Sequence, residues 1–292
     1  MEDFLKWNPP HQKEIISDGI LLPQSGLILH GKFKTFKSII AMHTGFCLAT
    51  GTDWFGHKTV PTDTLIIQIE VAEQAQLRRC RKYYHHAALD SPVSKLWIKS
   101  DRFLKIDTSW GMSELDKYIA KTGAKVIILD PLYKIMSGDT NDGKDVMRLF
   151  DNLDILIDKH KCSFIVIHHE RKSYEGEHKG AEQMTGSLFI SNWPDGIVGI
   201  TPTTHEDAEP AGLKLTFEGM RNAERFIPPV KIIISRDNLI PKVVHDVLDP
   251  FAQAKPTTIN TELIDGEYKP LLPVIDDMEE IEQWLRQSEL DL

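Results

Sequence analysis

Gly31-Lys32-Phe33-Lys34-Thr35-Phe36-Lys37-Ser38 places a glycine six positions before an adjacent lysine and serine. This is the G-x-x-x-x-G-K-[ST] spacing of a phosphate-binding loop, with one departure: Phe36 stands where a second glycine is usual. In such a loop the backbone N–H groups and the N-terminus of the following helix cradle phosphates. Lys37 then reaches the β- and γ-phosphates and Ser38 ligates Mg²⁺, so ATP is assigned to Gly31, Lys34, Thr35, Phe36, Lys37 and Ser38. A glycine takes the tight turn without steric cost, whereas Phe36 has to take it with a side chain.

Three further positions fit the same chemistry. Asp130 ends the apolar run Val126-Ile127-Ile128-Leu129, the Walker B pattern that holds Mg²⁺ directly or through water. Glu70 ends Leu65-Ile66-Ile67-Gln68-Ile69, where a carboxylate beside the γ-phosphate can orient and deprotonate the attacking water. Glu73 is its nearby competitor. His168-His169 ends Phe164–Ile167, where a polar residue can sense the γ-phosphate, and His169 is assigned that role. Read as capping acids or as histidines without a ligand, these residues would be structural. Their common position at strand exits, after a P-loop, favours the chemistry. A zinc-type site is not supported, because no cysteine or further histidine has suitable spacing.

Positioning such residues requires buried strands feeding helices. Leu27–His30 reads as a strand entering the loop, and residues 37–50 read as a buried helix ending at Gly51. Strands are expected at 65–69, 96–98, 126–129 and 164–167, with helices over 73–88, 111–122 and 144–160. Continuous apolar strands alternating with helices predict a mostly parallel, twisted sheet covered on both faces. Closely spaced strands at 196–201, 213–217, 230–235 and 240–244 predict an antiparallel extension at one edge. Residues 1–26 read as a loop-rich lead-in.

The net charge of −9 looks unsuited to nucleic acid, but residues 261–292 hold ten acids and two bases. The body is therefore near neutral, which leaves room for a local basic channel. Domains are read as 1–248 and an acidic, Pro-interrupted tail over 249–292. In that tail Met278, Ile281, Trp284 and Leu285 fall at helical spacing. No secretory signal and no apolar run of about 18 residues is present, so a cytoplasmic protein without a membrane span is expected. Cys47, Cys80 and Cys162 are too scattered for a disulfide framework.

These residues together resemble the RecA/DnaB/KaiC-like P-loop ATPases, and more narrowly the RepA-like hexameric helicases of phages and plasmids. The resemblance spans roughly residues 14–240. It is carried by Gly26–Gly31 into the loop, Ala49–Gly56, Gln68-Ile69-Glu70, Ile128–Leu132, His168–Ser173, Thr185-Gly186-Ser187 and Phe217–Asn222. It implies a RecA-like core, a catalytic glutamate at Glu70, and a homo-oligomeric ring with ATP between subunits. An arginine finger acting in trans matches Arg221, although the lysine often found two residues earlier is Gly219 here. Two loops are implied to face the ring centre, Lys134–Lys144 and Arg171–Met184. Arg171, Lys172 and Lys179 in the second suit single-stranded DNA phosphates, while Glu175, Glu177 and Glu182 count against it.

The expected function is therefore an Mg²⁺-dependent ATPase acting as a DNA helicase or single-strand translocase in a bacterial, archaeal or phage-infected cell. Two alternatives stand beside it: a recombination or annealing accessory that binds DNA without unwinding, and a KaiC-like regulatory ATPase with no DNA role. The acidic tail is read as a solubilising end, a docking segment for a replication partner anchored by Trp284, or a DNA mimic.

Overall fold

The computed structural model describes residues 13–87, 95–169, 188–205 and 207–244, with two short strands beyond. The chain divides into two compact units, Met1–His245 and Asp246–Leu292. In the first, β1 (Gly26–Gly31) enters the glycine-lysine loop and α1 (Lys37–Thr50) leaves it. Then come β2 (Thr64–Gln68), α2 (Glu73–His86), β3 (Leu96–Ser100), α3 (Ser109–Thr122) and β4 (Val126–Asp130). A 3₁₀ turn (Leu132–Lys134), α4 (Gly143–His160), β5 (Ser163–His169) and the short α5 (Leu188–Asn192) follow. The unit closes with β6 (Gly196–Pro202), β7 (Ala211–Glu218), β8 (Val230–Ile234) and β9 (Pro241–Val243).

Among the described residues nine strands form one sheet in the order β3-β2-β4-β5-β1-β6-β7-β8-β9. The first six are parallel to their neighbours, and β7, β8 and β9 add on antiparallel. This is the α/β architecture expected, with the antiparallel extension at one edge. Parallel strands buried on both faces need apolar residues at every position, and the pleat sends them alternately to two cores. Ile128, Ile165 and Ile167 join the core under α1, with Ile40, Met42 and Trp54. Ile127, Leu129, Phe164 and Val166 join the opposite core under α3 and α4, with Leu115, Ile119, Leu149 and Leu153.

The helices end where their flanking residues dictate. Thr108 caps α3 by accepting from the Gly111 N–H at 3.1 Å, and Gly123 ends it in the left-handed conformation. Asp142 caps α4 by accepting from the Lys144 N–H at 2.8 Å. The lead-in at 13–25 is loop-like as expected but sealed into the core by Ile15, Ile16, Ile20 and Leu21. The stretch after Asp130 is tied down as well. Asp107, itself buried, accepts from the Ser137 N–H and hydroxyl (2.8 and 2.6 Å) and from the Gly138 N–H at 3.1 Å.

The described part of the second unit is an antiparallel pair, β10 (Thr261–Ile264) and β11 (Glu267–Pro270). The helical spacing at 278–285 lies outside the described residues, as does the Arg171–Met184 loop with Arg171, Lys172 and Lys179. No described helix is long and apolar enough to cross a membrane.

Candidate nucleotide-binding site

The parallel strands all point their C-terminal ends the same way, and the residues singled out by spacing collect there. At Gly31 a Cβ would stand 2.6 Å from the Ile200 carbonyl of β6, so only glycine lets β1 leave the sheet so close to its neighbour. The loop then turns through two left-handed non-glycine residues, Lys34 (φ 62°) and Phe36 (φ 57°). Each costs about 1–2 kcal/mol against an ordinary conformation. Phe36 thus adopts the turn that a glycine would take freely, as its position in the motif requires. Thr35 Oγ1 donates to the Lys32 carbonyl at 2.8 Å and braces the turn. Lys37, almost fully buried, donates through Nζ to the carbonyls of Gly31 (2.9 Å) and Lys32 and to Thr35 Oγ1 (3.3 Å).

Because Phe36 has no side-chain group to cap α1, and Lys37-Ser38-Ile39-Ile40 contains no acid, the positive end of the helix dipole stays available to an anion. Beside it, β2 and β4 run in register with Gln68 opposite Asp130. Gln68 Nε2 donates to Asp130 Oδ2 at 2.7 Å, and the Ser38 side chain lies near enough to favour the charged carboxylate. Burial pushes the Asp130 carboxyl above its usual range, with the Glu70 charge adding and Ser38, the Gln68 bond and the Lys37 charge opposing. A buried carboxylate of this kind favours a cation as partner. Asp130 and Ser38 supply hard oxygen donors, which fit Mg²⁺. No group of three or more His, Cys, Asp or Glu among the described residues could hold a metal. An ion here would therefore complete its shell with phosphate oxygens and water.

Gln68 also fixes the next turn. Its Oε1 accepts from the N–H groups of Glu70 (2.8 Å) and Val71 (3.2 Å), which sets Glu70 at the cavity mouth, exposed. Tyr133 Oη, from the turn after β4, donates to Glu70 Oε1 at 3.1 Å. Burial and the Glu70 charge push the Tyr133 phenol up to about 12, so it stays a donor. The His169 ring meets Tyr133 edge-on at 5.4 Å. Burial, then the Lys37 charge, push His169 down to about 4 against the opposing pull of Glu70, so it is neutral near pH 7. Glu70, Tyr133 and His169 form a contiguous set across β2, β4 and β5. Glu73 sits in the first turn of α2, and the cavity wall takes Glu70.

The cavity holds about 590 Å³ and is lined by residues 33–39, Glu70, Val71, Arg79, His169, Asp207, Arg236 and Leu239. Sequence reasoning missed Gln68, Arg79, Tyr133, Asp207, Arg236 and Leu239. A glutamine inside an apolar strand was a readable signal for Gln68; Arg236 arrives through antiparallel pairing that leaves no local mark. Arg221 lies elsewhere. Its N–H donates to the Asp195 carbonyl (2.8 Å) and its guanidinium to the Asn192 carbonyl (2.5 Å), while the Asp195 N–H donates to the Gly26 carbonyl (2.7 Å). Arg221 is therefore at the Gly26 end of β1, about 17 Å from the Gly31 end at roughly 3.3 Å per residue.

The fold is similar to that of a KaiC-like protein from the hyperthermophilic archaeon Pyrococcus horikoshii, with a TM-score of 0.53 and 11% identity. That match covers 81% of this chain and 100% of the archaeal one. The architecture is thus the KaiC/RecA-like P-loop fold of ATPases. No curated protein matches the sequence. The profile of the AAA domain family matches residues 1–175, the stretch that carries the P-loop, Glu70, Asp130 and His169. The family implies nucleotide binding, usually with Mg²⁺, and on that match, more than half its length, the chain belongs to the AAA domain family.

Proposed function

We propose that this ATPase is a motor on single-stranded DNA, a replicative helicase or translocase of the RepA-like phage and plasmid branch that works as a homo-oligomeric, hexameric ring. The observation that carries the reading is the separation of Arg221 from its own P-loop by the length of β1. An arginine finger there can serve only a nucleotide bound by another copy, as a ring requires.

In this reading residues 1–248 form the motor and 249–292 an appended acidic tail that can dock a replication partner. Lys37 exchanges its loop carbonyls for the β- and γ-phosphates. Ser38 and Asp130 would hold Mg²⁺, which would supply charge neutralisation at the phosphates. Glu70 accepts a proton from the water as its oxygen attacks the γ-phosphorus, and the bond to the ADP oxygen breaks. Tyr133 keeps the Glu70 carboxylate aimed into the cavity. His169, neutral, accepts or donates one hydrogen bond near the γ-phosphate and passes its presence to the segment that follows β5, where Arg171, Lys172 and Lys179 contact DNA phosphates.

The test is ATP-dependent opening of a forked duplex by the intact chain. Unwinding that vanishes in Lys37→Ala supports the motor; DNA binding without unwinding moves the reading to an annealing accessory. A KaiC-like regulatory ATPase with no DNA role is the second reading. It takes over if DNA is not bound at all.

A further inference from the structure

The cavity at the P-loop extends past the phosphate cradle to a second wall. Phe36, forced left-handed, is half-buried, and Arg236 from the turn after β8 lies over its ring, 5.6 Å from guanidinium carbon to centroid. The edge of that guanidinium is held in place. Nη1 donates to the Ala208 carbonyl at 2.9 Å and to Glu209 Oε2 at 3.1 Å, and the Arg236 N–H donates to Glu209 Oε1 at 2.8 Å. A guanidinium bonded along its edge keeps its flat faces for stacking. Leu239 and Asp207 line the same wall.

The spacing suits an aromatic guest. A direct stack needs about 3.5–4 Å and an interposed ring about twice that. The observed 5.6 Å lies between the two, so a base would take the place of the direct contact, stacking on the Phe36 ring or on the half-exposed Arg236 guanidinium. A cavity of about 590 Å³ also exceeds what three phosphates require and matches a whole nucleotide.

We infer that Phe36 and Arg236 form the base-binding wall of this site, which holds purine nucleoside triphosphates by stacking and discriminates little between adenine and guanine. The inference rests on the nucleotide-binding reading above and deepens it. Stacking on a ring and a guanidinium is tolerant because every base has a π-face. Phe36 in place of glycine then trades a strained turn for an aromatic surface next to the phosphates.

The test is calorimetric binding of Mg-ATP, Mg-GTP and inorganic tripolyphosphate to the intact chain and to Phe36→Gly, Arg236→Ala and Arg236→Lys. ATP and GTP are expected to bind the unaltered chain within about threefold of each other. Each of the three variants weakens both nucleotides about tenfold and leaves tripolyphosphate unchanged. Arg236→Lys separates stacking from charge, because it keeps the cation and loses the plane. Arg236→Ala and Arg236→Lys also keep the test open if Phe36→Gly reshapes the loop. Equal losses for tripolyphosphate and nucleotide, no loss for ATP, or a preference above about thirtyfold between the purines overturns the base wall. If neither ATP nor tripolyphosphate binds the unaltered chain, the nucleotide reading fails first and the wall with it.

Discussion

Replacing Glu70 by Gln isolates the chemical step. The glutamine carbonyl can still accept from Tyr133, whose bond to the carboxylate is 3.1 Å, and the backbone bonds from residues 70 and 71 to Gln68 are untouched. The turn therefore keeps its shape while the proton acceptor is lost. A positioned general base contributes roughly 10²–10⁴ in rate, or about 3–5 kcal/mol of barrier. Nucleotide affinity moves the other way. Removing one negative charge about 5 Å from a phosphate in water-like surroundings relieves about 1 kcal/mol, near fivefold in Kd. Phosphate release at saturating Mg-ATP, paired with calorimetric ATP binding, should show kcat down at least about a hundredfold with ATP bound as well or better. A kcat within about threefold of the unaltered chain would refute the assignment and turn attention to Glu73.

Other consequences follow from the same geometry. Mixing Arg221→Ala with Lys37→Ala subunits should restore part of the hydrolysis that each variant loses alone, since each supplies what the other lacks; no recovery at any ratio contradicts a finger in trans. Asp107→Ala removes the acceptor for three donors at residues 137 and 138 and should lower stability by about 3 kcal/mol, seen as a drop in Tm of about 6–12 °C. Buried His43, pushed down to about 4 by desolvation, binds a proton less readily folded than unfolded. Its stabilising contribution is complete above about pH 6.5 and is lost as pH falls toward 4, by about 3 kcal/mol in all. Denaturant midpoints measured across that window should fall less steeply in His43→Gln, and an unchanged slope contradicts the shift.

The phosphate cradle was legible because it is local. Gly31 through Ser38 follow one another in the chain, and a strand exit before a helix is enough to place them. Asp130 and Glu70 were legible for a related reason: a run of Val, Ile and Leu that stops at an acid marks the end of a buried parallel strand. The opposite wall was not. Arg236 reaches the cavity only because β8 pairs antiparallel with β7, two strands from β6, and because Glu209 clasps its side chain, an arrangement set by sheet order. Asp107 was equally silent, since it lies in the turn before α3 and acts on a loop thirty residues later. Tyr133 was readable only as part of the stretch after Asp130, and its bond to Glu70 depends on β2 and β4 being neighbours.

A motor on DNA must couple hydrolysis to the strand it moves along. Steady-state ATP hydrolysis by the intact chain, measured with and without single-stranded DNA and alongside Lys37→Ala, tests it most directly. The expected result is a basal rate that rises several-fold with single-stranded DNA and is abolished in the variant; a rate that ignores DNA, or one that survives loss of Lys37, rules the motor out.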